Sequence, residues 1–378
     1  MELTQFRQAL DAWLDEHATE LTPSGHGLDE AMTHLSKVKR LAYDAGWMRW
    51  GWPQRVGGLG GSPLLRGYLG EALTARGFVE AGIYSLTEVL APTMIDFASA
   101  ELAAEMVPRL LRGDETWCQG FSEPSTGSNL GSLTCKAVAT DLGWRVNGQK
   151  VWTSLAQFAQ RCVLLTRTGT PESAHSADKH RGITAMFVDM DSPGITIRPI
   201  ETMHGAAEFC EVFFDDVDVP AARTLGAEGQ GWAVAMDLLP YERSTALWHR
   251  GALLHRRLGD LVAEAPQDSL SPRDVGAVLE QIYAFRAMSR RTLHRLDAGE
   301  TLGAETSLDK VVLQMAEQSL FDLVAEGLAD QVIFGDGDTD AEWRSEFLYS
   351  RAATIYGGSA EIQRNIIAKR LLDLGAES

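Results

Sequence analysis

The sequence predicts a mainly α protein with a central β domain. Apolar residues recur at helical spacing from Leu3 to about Arg112 and again from Gly229 to the end, while short runs of β-branched and aromatic residues fill the stretch from Trp117 to Leu225. At 378 residues, 45% of them hydrophobic, the chain can bury a large core and is long enough for two or three domains. We place the divisions at 1–114, 115–226 and 227–378.

The opening helices are read from Phe6, Leu10, Trp13 and Leu14, and from Leu35, Val38, Leu41 and Ala42. Trp50 to Ser62 packs in five glycines and a proline, which stop a helix and predict a structured loop. Strands are expected over Trp144 to Trp152, Cys162 to Thr166, Ile183 to Asp189, Ile195 to Ile200 and Glu211 to Phe214. Asn147-Gly148 reads as a hairpin turn, and Ser192-Pro193-Gly194 as another turn. The polar stretch from Thr168 to Arg181 reads as an exposed, mobile loop. Beyond Gly229, breaks near Pro266 to Pro272, Ala298 to Gly303 and Phe334 to Asp338 predict four or five antiparallel helices. The first is expected to run on through Glu242 to His249 and His255.

A formal net charge of -18 disfavours nucleic acid and anionic membrane surfaces. The four cysteines, Cys118, Cys135, Cys162 and Cys210, have neither a Cys-x-x-Cys pair nor metal-ligand spacing, so no disulfide framework is expected. No metal site is expected among the nine scattered histidines either. With no membrane span and no signal-peptide pattern after Met1, a cytoplasmic protein is expected.

Two stretches draw attention chemically. Gly120 to Ser132, Gly-Phe-Ser-Glu-Pro-Ser-Thr-Gly-Ser-Asn-Leu-Gly-Ser, joins helical and β regions with small residues and hydroxyls that admit an anion or a flat polar ring to the backbone. An ordinary connecting turn has the same composition. Next, Asn147 to Ser154 places Trp152 and Ser154 on one strand face, an indole to stack on a ring and a hydroxyl to bond it. A core tryptophan beside a strand-edge serine is the blander alternative.

These two stretches, with Glu211 to Pro220 (Glu-Val-Phe-Phe-Asp-Asp-Val-Asp-Val-Pro) and Ile355 to Asn365 (Ile-Tyr-Gly-Gly-Ser-Ala-Glu-Ile-Gln-Arg-Asn), resemble the acyl-CoA dehydrogenase family in family order. The resemblance implies an N-terminal helical domain, a middle β-barrel-like domain and a C-terminal four-helix bundle, with FAD between the last two. It implies Phe121, Ser122, Gly127, Ser128, Trp152, Thr153, Ser154, Gly357, Gly358, Ser359, Glu361 and Gln363 as cofactor-binding residues. Ser122 would lie at the pyrimidine side of the flavin, Ser128 at the pyrophosphate, and Trp152 and Ser154 near N5. Gly357-Gly358 forms a turn and Ser359 a helix cap, whether or not the helix end faces a phosphate. Asn129 stands where the family usually has aspartate.

Proton abstraction next to a thioester needs a shielded carboxylate, while hydride leaves the neighbouring carbon for the flavin. Many members carry that glutamate directly after Ile-Tyr; here the residue is Gly357. A subset carries it on the first long helix after the β domain, followed by arginine, which implies Glu242 and Arg243. Leu238, Leu239, Thr245 and Ala246 surround Glu242 at helical spacing, so no basic neighbour on its own helix pairs with it. An ion pair across helices is the alternative. The Arg-x-x-Phe-Gly motif of homotetrameric members is missing, and the corresponding stretch reads Ser271 to Val278. The resemblance implies a tetramer and, with that motif missing, points to a heterotetramer with a homologous chain. It further implies a bulky, branched or steroid side-chain acyl-CoA substrate and an electron-transfer flavoprotein as acceptor. An acyl-CoA oxidase and a non-catalytic partner subunit are the competing readings.

Overall fold

Phe6, Leu10 and Leu14 lie four residues apart and are all fully buried, which fixes the inner face of the first helix. In this computed structural model, which describes residues 1–169 and 180–375, that helix is α1 (Leu3–Glu16). The single turn α2 (Ala18–Leu21) follows, then α3 (Leu28–Asp44), α4 (Pro63–Ala75), α5 (Ala81–Phe97) and α6 (Ala100–Arg112). Their starts obey local chemistry. Ser62 accepts from the Leu64 amide at 3.0 Å with Pro63 in the first turn of α4, and Ser99 accepts from the Leu102 amide at 3.1 Å to start α6. The glycine-rich interruption is a structured loop, closed by a Gly51 amide to Gly60 carbonyl bond of 2.9 Å around the buried Trp52.

The middle of the chain forms β1 (Trp117–Gly120), β2 (Lys136–Thr140), β3 (Gly143–Ser154), β4 (Arg161–Arg167), β5 (Ile183–Asp189), β6 (Ile195–Ile200), β7 (Phe209–Pro220) and β8 (Thr224–Leu225). They pair in the order β6-β7-β3-β2-β4-β5-β8, with β1 parallel to β4. The predicted turn between β5 and β6 is present, with Gly194 at φ +90°. The predicted hairpin at Asn147-Gly148 is not. The reversal lies at Asp141-Leu142, between Thr140 and Gly143, which pair across β2 and β3. Asn147 and Gly148 sit inside β3 at an irregularity in its register with β7. A β-carbon on Gly148 would stand 2.7 Å from Cys135 Cα, so this glycine serves close approach of two strands. The Asn147 side chain is spent on Asp216, donating to its carboxylate at 2.9 Å and accepting from its amide at 3.0 Å. Most of the polar stretch expected as an exposed, mobile loop, 170–179, falls outside the described residues.

The remainder is helical: α7 (Gly231–Glu242), α8 (Thr245–Glu264), α9 (Pro272–Asp297), α10 (Thr306–Gly327), α11 (Ala329–Phe334), α12 (Asp338–Ser350) and α13 (Ala360–Arg370). The three predicted breaks fall between these helices, and Leu258, Phe285, Leu320, Phe321 and Trp343 meet in a common bundle core. Two expectations fail here: seven helices are described where four or five were expected, because further breaks fall at Arg243-Ser244, at Leu328 and between Ser350 and Ala360, and one helix is cut short. The helix carrying Glu242 does not continue to His249 and His255, because Pro240 has no N–H to extend the ladder and Ser244 leaves helical geometry at φ −130°, ψ −84°. Both histidines belong to α8. Among the described residues no helix is long and apolar enough to cross a membrane. All four cysteines are buried free thiols.

Candidate active site

Because α7 stops at Glu242, the side chain of that residue leaves the helix end and enters a cavity of about 170 Å³. All three parts of the chain contribute walls: Ser85 and Val89 from α5, Gln119 and Ser154 from the sheet, and Lys310 and Tyr356 from the bundle. Glu242 itself is half-buried. Its Oε2 accepts a long bond from Gln119 Nε2 at 3.4 Å, and its Oε1 lies 3.0 Å from where a β-carbon on Gly357 would stand.

Gly357 and Gly358 both adopt left-handed geometry, φ +63° and +88°, which glycine enters at least cost. Arg243 Nε donates to the Gly357 carbonyl at 3.2 Å, and Gln363 Nε2 donates to the carbonyls of Gly357 at 2.9 Å and Gly358 at 3.3 Å. Arg243 therefore ties the end of α7 to this turn. Burial pushes its guanidinium below the usual range, and Glu242 works in the opposite direction.

Lys310 was not singled out by the sequence. Its Cε lies 3.3 Å from the same point beside Gly357 that Glu242 Oε1 approaches, so the ammonium stem and the carboxylate crowd one spot. Nζ donates to the Ala353 carbonyl at 2.6 Å and sits 3.7 Å above the ring of Tyr356. Burial lowers the lysine to about 8, against the pull of Glu317 and Glu242. Its signal in the sequence is weak: Lys310, Leu313, Gln314 and Glu317 share one stripe of α10, where charge on an apolar stripe hints at an internal network. Its contacts with the Ala353 carbonyl and the Tyr356 ring, and its approach to Glu242, have no local signal at all.

Around Gly120 to Ser132 the loop is built on one buried ion pair. Glu123 accepts from the amides of Thr134 at 2.7 Å and Cys135 at 2.8 Å, the Thr134 hydroxyl at 2.8 Å, and Lys150 Nζ at 2.9 Å. Burial pushes the carboxyl of Glu123 upward, but Lys150 and these donors outweigh it and hold it below the usual range. A carboxylate so occupied is no candidate for the base. Phe121 and Ser122 are fixed through their carbonyls, which accept from Lys150 Nζ at 3.1 Å and the Val151 amide at 2.9 Å. Gly127 and Ser128 are exposed, and a β-carbon on Gly127 would meet nothing within 4 Å.

On β3, Trp152 is 57% exposed and held at φ +58°, an uncommon conformation for a bulky residue. Thr153 is buried and Ser154 half-buried, but the left-handed Trp152 sits at an irregularity in the register of β3 with β7, so the simple alternation expected to put Trp152 and Ser154 on one face is interrupted, and of the two only Ser154 lines the cavity. Ser359 caps α13, accepting from the Ile362 amide at 3.4 Å. Glu361 is exposed beside Arg364, 3.9 Å away, and does not reach the cavity. The structure thus gathers Ser154, Glu242, Arg243 and Gly357 around one cavity, ties Gly358 and Gln363 to it, and leaves Gly127, Ser128 and Glu361 at the surface.

These residues fit a flavin. The indole of Trp152 offers an open flat face, and the hydroxyls of Thr126 and Thr153 and the Oε1 atoms of Gln119 and Gln363 are buried without a hydrogen-bond partner among the described residues. A flat ring system edged with polar atoms supplies both the stacking surface and the missing partners.

The chain has relatives along its whole length. Three family models match in order: the N-terminal domain of acyl-CoA dehydrogenase over residues 1–114, its middle domain over 118–217 and its C-terminal domain over 229–372. The chain is 34% identical to acyl-CoA dehydrogenase IpdE1 of Mycobacterium tuberculosis over 389 aligned positions, covering 100% of this chain and 99% of that one. It is 26% identical to the mitochondrial short-chain specific acyl-CoA dehydrogenase of Rattus norvegicus, covering 98% and 91% of the two chains. Among solved structures, the Tcur3481-Tcur3483 steroid ACAD superposes with a TM-score of 0.82 at 23% identity, covering 99% of this chain and 98% of that one. The ChsE4-ChsE5 complex of Mycobacterium tuberculosis does so with 0.80 at 24%, covering 100% of both chains.

Proposed function

The chain belongs to the acyl-CoA dehydrogenase family of FAD-dependent oxidoreductases, and from that premise we propose that Glu242 takes the α-proton of a bound acyl-CoA thioester. The observation that carries this is the approach of Glu242 Oε1 to within 3.0 Å of the β-carbon position at Gly357, the residue that follows Ile-Tyr and holds the glutamate in many members. Two different backbone positions deliver a carboxylate to one place. Bound FAD supplies the acceptor for the hydride that leaves the β carbon. Gln119 holds Oε2 of the base, Arg243 and Gln363 hold the turn beneath it, and Lys310 places a positive charge near the carboxylate.

The substrate in this reading is a bulky, branched or steroid side-chain acyl-CoA, and the chain works as the catalytic half of a heterotetramer. Support comes from the likeness to IpdE1 and from neighbours described as a steroid ACAD and as two-chain complexes. It also comes from the absence of Arg-x-x-Phe-Gly where α9 begins, and from exposed apolar side chains at both ends of α13: Ile355, 69% exposed, just before the Gly-Gly turn, and Leu372 and Leu374, 60% and 71% exposed, beyond the last turn of the helix. An electron-transfer flavoprotein is the acceptor we propose.

Anaerobic mixing of the flavin-loaded protein with a panel of acyl-CoA thioesters tests the reaction. Bleaching of the flavin by wild type but not by Glu242→Gln, at equal flavin content, is the expected result; equal bleaching by both removes Glu242 as the base. Rapid oxygen consumption during turnover would replace the dehydrogenase by an oxidase. Fully active, flavin-loaded protein from this chain expressed alone would dispose of the heteromer.

A further inference from the structure

Away from Glu242, the cavity is lined by polar groups that a plain hydrocarbon acyl chain does not need. Arg250 of α8 donates through Nε to Glu317 at 3.1 Å and through Nη2 at 2.6 Å. Glu317 is fully buried and also accepts from the Tyr356 hydroxyl at 3.2 Å, so the guanidinium is locked in one orientation. Its third nitrogen, Nη1, makes no hydrogen bond among the described residues, and Glu80 and Glu208, the nearby acids, form no ion pair with it. Tyr349 lies with its ring centroid 5.2 Å from the guanidinium carbon, and its hydroxyl likewise makes no hydrogen bond among the described residues. Neither atom is sealed off by protein, and both residues line the cavity that holds Glu242.

An apolar occupant would strip water from Nη1 and from the Tyr349 hydroxyl and return nothing, which penalises it. An oxygen in that part of the cavity has these two donors to accept from, and the orientation of Arg250 is already fixed before it arrives. The charged groups on the cavity wall point the same way: Arg243, Arg250 and Lys310 face Glu242 and, behind Arg250, Glu317. We propose that the acyl group dehydrogenated at Glu242 bears an oxygen function, carbonyl, hydroxyl or carboxylate, recognised by Arg250 Nη1 and the Tyr349 hydroxyl. This rests on the reading of the cavity as the acyl site and narrows the substrate class within it.

The test uses the flavin-loaded protein, with its partner chain where one is required. Cyclohexanecarboxyl-CoA serves as the bare probe, and its 4-oxo, 4-hydroxy and 4-carboxy derivatives as matched oxygenated ones. Affinities are measured by calorimetry in the Glu242→Gln background, where no turnover intervenes. We expect at least one oxygenated thioester to bind about tenfold or more tighter than the bare one. In Tyr349→Phe, which leaves the Arg250–Glu317 pair intact, and in Arg250→Met the ratio falls toward one. The 4-carboxy arm separates an anionic group from a neutral oxygen, since only the former gives a preference that weakens steeply with salt. The proposal is overturned if the bare thioester binds as tightly as all three derivatives, or if the preference survives unchanged in Tyr349→Phe. Preference without any dehydrogenation by wild type would instead count against Glu242 as the base and leave this assignment in place.

Discussion

Glu242 Oε1 and Gly357 occupy one small volume: a β-carbon on the glycine would stand 3.0 Å from the carboxylate oxygen, tighter than an ordinary van der Waals contact. Gly357 is also left-handed, at φ +63°, so a side chain there is strained before it meets any neighbour. Gly357→Ala should displace the carboxylate, and with it the base. We expect at least a tenfold fall in kcat and a stability loss of about 1–2 kcal/mol. Steady-state kinetics beside thermal unfolding measures both, and an unchanged kcat would break the link between these two residues.

Lys310 approaches the same point from the other side, with its stem 3.3 Å from where a β-carbon on Gly357 would stand. Lys310→Met should therefore lower kcat by about tenfold with KM little changed, while Lys310→Arg largely restores it. A structural role alone would instead lower the unfolding temperature and leave the kcat of the folded protein unchanged.

How much of this was legible in the chain depends on the range of the interaction. Helix and strand placement followed from apolar spacing, and the Ser359 cap from local chemistry. Asn147-Gly148 misled because a turn dipeptide and a strand irregularity draw on the same two residues; only the approach of Cys135 decides between them. Glu242 was legible as an acid without a partner on its own helix. Its surroundings were not, since Gln119, Lys310 and Gly357 come from a strand, a helix and a turn that only the folded chain brings together.

Glu123 and Lys150 form the buried pair beneath the loop expected at the flavin, both nearly without solvent contact. Removing one partner strands the other's charge, at a cost of about 3–5 kcal/mol. Lys150→Met should therefore lower the unfolding temperature and, because the Phe121 carbonyl loses its donor as well, reduce the flavin retained on purification. Flavin absorbance per protein checks the second effect; full retention would detach this pair from the cofactor site.

Glu208 offers a prediction whose sign follows from burial. Burial first, helped by Glu80 and opposed by Arg250, raises its carboxyl to about 7 from an ordinary 4.5. The folded state thus binds a proton that the unfolded chain releases between those values, and this contribution to stability is complete below about pH 4.5 and lost as pH rises through about 7. Glu208→Gln removes the dependence and should be the more stable protein at pH 8, by about 2 °C in Tm, with no advantage at pH 4.5. The comparison has to be between the two proteins. His249, which burial holds at about 3, contributes with the opposite sign as pH falls through 6.5, so the profile of wild type alone blends the two. Calorimetry at several pH values reads the difference directly, and a gap between the two proteins that stays constant from pH 4.5 to 8 would show that Glu208 does not titrate in the fold.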